Sequence, residues 1–313
     1  MELGRGERAM NVGPASGAWA GLVDDAALFP PGEAPLPEAL PAHAAHRAAW
    51  YAELVGVFVH PAPRAAELAA AAPPGTLDVS LTLPGGPATY RPAATTLGHS
   101  GRVRLVAAEV VVPEDLDSRS LVDALDVALA EGVRGYVELP RSARRNEVLR
   151  ALAGTRYHAK LRTGGIVAEA FPDESELAGA IVACVRQGTP FKCTAGLHRA
   201  VRRRDPETGF EHHGFLNVLL ATAAALDGDE PDAVADVLAQ RDPDRLVADY
   251  AFLGPDGAAA ARSRFTSFGS CSIDEPVEDL VHLGLLHPPV TAPVPPPVPA
   301  PATAGGEPDH DVA

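Results

Sequence analysis

The chain has 313 residues, 46% hydrophobic and only 5% aromatic, with a net charge of -15. This suits one large soluble domain or two small ones, and the acidity speaks against a nucleic acid or an anionic membrane surface as partner, since both need a broad basic face. Three scattered cysteines, Cys184, Cys193 and Cys271, exclude a disulfide framework. No apolar run reaches the roughly 18 residues of a membrane span, and the start shows no apolar leader core. A cytoplasmic, non-exported protein is expected.

Residues 1–20 are expected to be disordered. Gly21 to Phe29 then reads as a first strand closed by Pro30-Pro31-Gly32, followed by a helix from Leu36 to Ala52. Leu54 to His60 is a continuous apolar run of strand length, as buried parallel strands require, and an Ala-rich helix runs from Arg64 to Ala72. Strands follow at Leu77 to Leu83 and Val103 to Val110, a helix at Arg119 to Glu131, a strand at Gly135 to Pro140, a helix at Asn146 to Ala153 and a strand ending at Lys160. Leu177, Ile181, Ala183 and Cys184 mark an amphipathic helix from Glu174 to Arg186, ahead of a strand ending at Lys192. The eighth strand is Arg264 to Gly269. Eight strands alternating with helices predict a single (β/α)8 TIM-like barrel over 21–287, with its active site at the carboxyl ends of the strands. An open doubly wound sheet shares the alternation, but no GxGxxG follows the first strand. Residues 199–263 are too long for a connection and read as a helical insertion between strands 7 and 8 capping the barrel mouth, with helices at Gly214 to Leu226 and Glu230 to Ala239 and a helix start at Asp242-Pro243-Asp244. Asp274-Glu275-Pro276 is another helix start, and residues 288–313, dense in proline and alanine, read as a disordered tail.

Lys160 and Lys192 are the only lysines in a chain that otherwise uses arginine and histidine for positive charge. An amine, unlike a guanidinium, can lose its proton and attack a carbonyl. Two ammonium groups on adjacent strand ends would repel, so one would tend towards the neutral, nucleophilic form. Glu109, Glu138 and His198 are placed to move protons. Arg162, His198 and the cluster Arg199, Arg202, Arg203 and Arg204 add positive charge, which suits a phosphate or carboxylate, although Arg202 to Arg204 read equally well as a solvated loop face.

Lys160-Leu-Arg162-Thr163-Gly164, Lys192-Cys-Thr194-Ala-Gly196 and Gly269-Ser270-Cys-Ser272 resemble the corresponding segments of class I aldolase barrels of the deoxyribose-phosphate aldolase type. They also resemble an uncharacterised bacterial group that shares the Lys-x-Arg-Thr-Gly-Gly and Thr-Ala-Gly-Leu-His segments. The aldolase resemblance implies that Lys160 forms a Schiff base, that Lys192 keeps its amine deprotonated, and that Gly269, Ser270 and Ser272 hold phosphate, with Arg162, Thr163, Gly164, Thr194, Gly196 and His198 around the substrate. Glu109 is the nearest counterpart of the family's acid on the fourth strand, and the long insertion departs from the pattern. The expected partner is a small anionic carbonyl compound, with no nucleic acid, membrane or cofactor; homo-oligomerisation is left open.

Two other readings use the same residues. The lysines are plain cations paired with Glu109 and Glu138 in a noncatalytic anion-binding barrel, or His198 with His212 or His213 and the glutamates binds a divalent metal for an isomerase or lyase. Gly269 to Ser272 is explained equally by a tight turn, and Cys193 and Cys271 read as inert residues of packed turns.

Overall fold

The computed structural model describes residues 17–289, so residues 1–16 and the expected tail from 290 onward lie outside it. Eight parallel strands close into a barrel: β1 (Val23–Asp25), β2 (Val55–Pro61), β3 (Leu77–Leu83), β4 (Val103–Val111), β5 (Arg134–Glu138), β6 (His158–Arg162), β7 (Phe191–Thr194) and, after a hairpin of β8 (Arg203–Arg204) and β9 (Glu211–His212), β10 (Phe265–Ser270). The order around the barrel is β1-β10-β7-β6-β5-β4-β3-β2, with β2 returning to β1. This is the expected (β/α)8 arrangement. Helices α1 (Leu36–Ala48), α2 (Ala65–Ala71), α3 (Tyr90–Gly98), α4 (Ser120–Ala128), α5 (Arg145–Leu152) and α6 (Glu174–Arg186) alternate with the strands.

Alternation along each strand divides the side chains. In β3, Leu77, Val79, Leu81 and Leu83 are buried, while the intervening Ser80 reaches Glu109 inside the barrel. In β6, Ala159 and Leu161 are buried between Lys160 and its neighbours His158 and Arg162. Register sets Glu138 beside Lys160, Lys160 beside Lys192 and Lys192 beside Ser267, so strand pairing alone aligns a polar row across four strands.

The segment between β7 and β10 holds α7 (Phe215–Asp227), α8 (Pro231–Ala239) and α9 (Pro243–Arg264), as the insertion was expected to. Asp242 accepts hydrogen bonds from the Asp244 and Arg245 amides at the start of α9. Helix α7 belongs to the helical layer and not to a cap: it packs on α6, α8, α9 and β10, with Phe215 stacked 5.1 Å from Phe268. The β8-β9 hairpin lies over the loop after β6, where His212 packs on Phe171 with ring centroids 4.6 Å apart. The last helix, α10 (Asp274–His282), starts at the acidic pair anticipated for it.

The first strand is shorter than read from sequence. Asp25 turns its carboxylate onto the Ala27 amide at 3.1 Å, and this local hydrogen bond ends the strand. Residues 17–20, read as disordered, form turns in which Trp19 is buried, stacked on Tyr250 at 5.0 Å with its indole donating to the Leu285 carbonyl at 3.1 Å. Aromatic burial against α9 outweighs the Gly-rich composition that suggested disorder. Among the described residues no helix is long and apolar enough to cross a membrane.

Phe268 is fully buried between Phe215 and Phe265. Phe268→Ala should cost roughly 3–5 kcal/mol, read as a lower urea midpoint at an unchanged denaturant slope.

Candidate functional site

The inward positions of β1, β4, β5, β6 and β7 converge on one charge network. Lys192 is wholly buried; its Nζ lies 2.6 Å from Asp24 Oδ2 and 2.7 Å from Glu109 Oε1, and 5.2 Å from the centre of the Tyr136 ring. The other oxygen of Glu109, Oε2, lies 3.1 Å from Lys160 Nζ, which stands at the same distance from Glu138 Oε2. Arg162 approaches Glu138 at 4.0 Å from the mouth side, with 46% of its side chain exposed. Ser80 donates to Glu109 at 3.1 Å, and Ser267 and the Val57 amide donate to Asp24 at 2.8 and 3.1 Å. A Cβ on Gly56 would stand 2.2 Å from Asp24 Oδ1, so glycine there makes room for the carboxylate.

Lys160 and Lys192 therefore both point into the barrel interior, with a carboxylate between them. Burial alone would push the Glu109 carboxyl up, but the Lys192 and Lys160 charges overcome it and hold the group at about 2. Burial would lower Lys192, whereas Asp24 and Glu109 raise it well above the ordinary lysine range. The repulsion expected between two bare ammonium groups is offset by Glu109, and Lys192 is a fixed cation.

Asp24, Ser80, Tyr136 and Ser267 were not singled out as site residues from sequence. Adjacent acids within a short buried strand were the available signal for Asp24: period two sends Asp24 inward and Asp25 outward, where His43 of α1 holds it at 2.9 Å.

The motif turns are largely occupied by their own backbone. The Thr163 hydroxyl donates to the Thr194 and Ala195 carbonyls at 3.2 and 2.5 Å, and the Thr163 amide to the Thr194 carbonyl at 2.9 Å. Gly164 and Gly196 bring the loops after β6 and β7 into contact: a Cβ on Gly164 would lie 2.9 Å from the Gly196 Cα, and Gly196 itself has φ +78°. Arg162 Nε donates to the Gly164 carbonyl at 3.0 Å. Ser270 donates to the Ser272 carbonyl at 2.6 Å, the Ser272 hydroxyl accepts from the Glu275 amide at 3.3 Å, and a Cβ on Gly269 would meet only ordinary contacts with Ala26 and Thr194.

The histidines are dispersed. His198 pairs with Glu275 at 3.1 Å; burial would lower it, but Cys271 and Glu275 raise it to about 9. His213 is buried and lowered to about 4, chiefly by burial, with Arg202 donating to its Nδ1 at 3.0 Å and its Nε2 lying 2.9 Å from the Pro172 carbonyl. Among the described residues no group of three His, Cys, Asp or Glu is arranged to hold a metal ion. Arg202 is no solvated side chain: it is buried and paired with Glu174 at 2.6 Å. An open cavity of about 580 Å³ lies apart from the inward charges, lined by Arg141, Ser142, Arg145 and Glu176 among others, and Glu176 already bridges its two arginines at 2.6 Å each.

No protein-family model matches this chain, and no curated protein or solved structure matches it either.

The Glu109 carboxyl titrates near 2 in the fold against an ordinary 4.5. As pH falls the unfolded chain takes up this proton first, so the associated stability is full above 4.5 and is lost towards 2. Urea unfolding across that window should show a steep loss in wild type and a flatter one in Glu109→Gln. Lys192→Met, which leaves Asp24 and Glu109 buried without their shared cation, should cost about 3–5 kcal/mol at neutral pH by the same measurement.

Proposed function

We propose that the chain is a lyase of the class I aldolase kind, in which Lys160 forms an imine with a small anionic carbonyl compound. The observation that carries this reading is the Glu109 carboxylate shared between the two ammonium groups, with Glu138 as a second acid on Lys160 alone. Lys192 is saturated by Asp24 and Glu109 and wholly buried, which suits a fixed charge and not a nucleophile. Lys160 lies nearer the partly exposed Glu138 and Arg162.

Attack requires the free amine. Lys160 passes a proton to Glu138, which is less deeply held than Glu109 and 3.1 Å away. The amine nitrogen then bonds to the carbonyl carbon, and the carbinolamine loses its oxygen as water with a proton returned from the same acid. The double grip on Glu109 makes it a weak base, so its part is to hold Lys160 and Lys192 in place. Arg162, half exposed beside Glu138, supplies charge for the anionic group of the substrate.

The noncatalytic anion-binding reading pairs the same lysines with Glu109 and Glu138. Here Asp24, Glu109 and Glu138 surround two ammonium groups and would repel an incoming anion at that depth, which favours the covalent reading. The resemblance of the lysine segments to deoxyribose-phosphate aldolases agrees with it.

The test is borohydride reduction with a panel of small aldehydes, ketones and sugar phosphates, followed by intact-mass measurement and peptide mapping. A reduced adduct should appear on Lys160, vanish in Lys160→Arg and form roughly 10²–10⁴-fold more slowly in Glu138→Gln. Absence of any lysine adduct across the panel, or an adduct confined to Lys192, would overturn the assignment.

A further inference from the structure

We propose that His60 is a proton-triggered release for helix α2: with a neutral ring the helix stays seated on the barrel wall, and a proton on the ring drives it off. This stands independently of the imine reading. In β2, Val59 lies beside Ser80, which reaches Glu109 inside the barrel, so period two turns His60 outward beside Leu81, into the layer between strands and helices. There the ring is wholly buried, and neither nitrogen has a hydrogen-bond partner among the described residues. A neutral imidazole carries one donor and one acceptor, and leaving both unmet already opposes folding. An imidazolium in the same place would bury two unmet donors and a full charge.

No neighbouring carboxylate is free to offset that charge. Arg64, in the turn Ala62–Arg64 that leads into α2, and Glu67 within α2 are the charges that act on His60, and Arg64 already holds Glu67 at 2.7 Å. On the surrounding elements, His43 of α1 is held by Asp25, Asp78 of β3 is paired with Arg104, Arg91 of α3 reaches the Val127 carbonyl, and burial keeps the Tyr90 phenol of α3 neutral. Burial pushes the His60 pKa down to about 4; Arg64 adds to the drop, and Glu67 and the Pro61 backbone offset part of it.

Helix α2 is the element that yields. Strand β2 is paired on both sides, with β1 and β3, whereas α2 has seven residues, no side-chain cap at its start and Pro73-Pro74-Gly75 soon after its end. Once α2 lifts, His60 meets water and titrates at an ordinary 6.5. Between 6.5 and about 4 the opened form therefore binds the proton and the closed form does not, so closure is full above 6.5 and weakens as pH falls. Glu67 and Glu109, both lowered from 4.5, stay charged down to that value.

The experiment is amide hydrogen exchange on the full chain, read as protection factors so that the pH dependence of the exchange chemistry cancels. From about pH 7 to about pH 5, protection of the α2 amides should fall roughly 20-fold in wild type while that of α4 stays level. His60→Leu and His60→Gln remove the titration and should leave α2 protection level over the same range. His60→Gln keeps a polar group and decides if His60→Leu repacks; if neither variant folds, the wild-type contrast between α2 and α4 decides. Level protection of α2 in wild type, an equal fall in α4, or the same fall in the folded variants would overturn the proposal.

Discussion

The barrel interior is organised by one carboxylate. Glu109 takes an ammonium on each of its oxygens, 2.7 Å to Lys192 and 3.1 Å to Lys160, and through them ties β4 to β6 and β7. Removing charges from water is costly, and such a cluster persists only when nearly every lone pair and proton finds a partner. Ser80, Ser267 and the Val57 amide supply the remaining hydrogen bonds, and Tyr136 offers its ring face to Lys192. The strands that carry these groups are buried on their outer faces by leucine, valine and phenylalanine, so the polar row is enclosed by the packing that closes the barrel.

Strand and helix positions were legible because parallel strands buried on both faces make short apolar runs with sharp boundaries. Leu77 to Leu83 and Glu174 to Arg186 agree residue for residue with β3 and α6. The first strand was overdrawn because Asp25 ends it through a side-chain hydrogen bond, which apolar patterning does not reveal. Trp19 was lost to a Gly-rich context, although its partners Tyr250 and Leu285 lie far along the chain. The insertion was legible as helices but not as a place: α7 is apolar nearly all round because it is enclosed by helices and β10.

The site divides in the same way. Lysine scarcity pointed to Lys160 and Lys192, and the glutamates followed from strand ends. The pairing of the lysines with Glu109 and Glu138 was legible as one reading, but Asp24 as a further counter-charge was not, since that depends on which way Asp24 faces. Thr163, Gly164 and Gly196 drew notice as ligand-facing residues, whereas much of their chemistry is spent on joining two loops. Small motifs after strands serve backbone contact as readily as substrate, and spacing does not distinguish the two.

The pairing of β1 with β10 is one of the short seams in the barrel wall, three residues matched to three. Seams this short are where closed sheets fray. Three fastenings lie just before β1: the Leu22 carbonyl accepts from the Phe268 amide at 2.8 Å, the Ala20 carbonyl from Arg262 at 3.0 Å, and Trp19 reaches across to Leu285. The residues preceding the first strand thus work as a latch that keeps the wall shut beside Asp24, and the rigidity of the charged interior depends on a segment that contributes no charge to it.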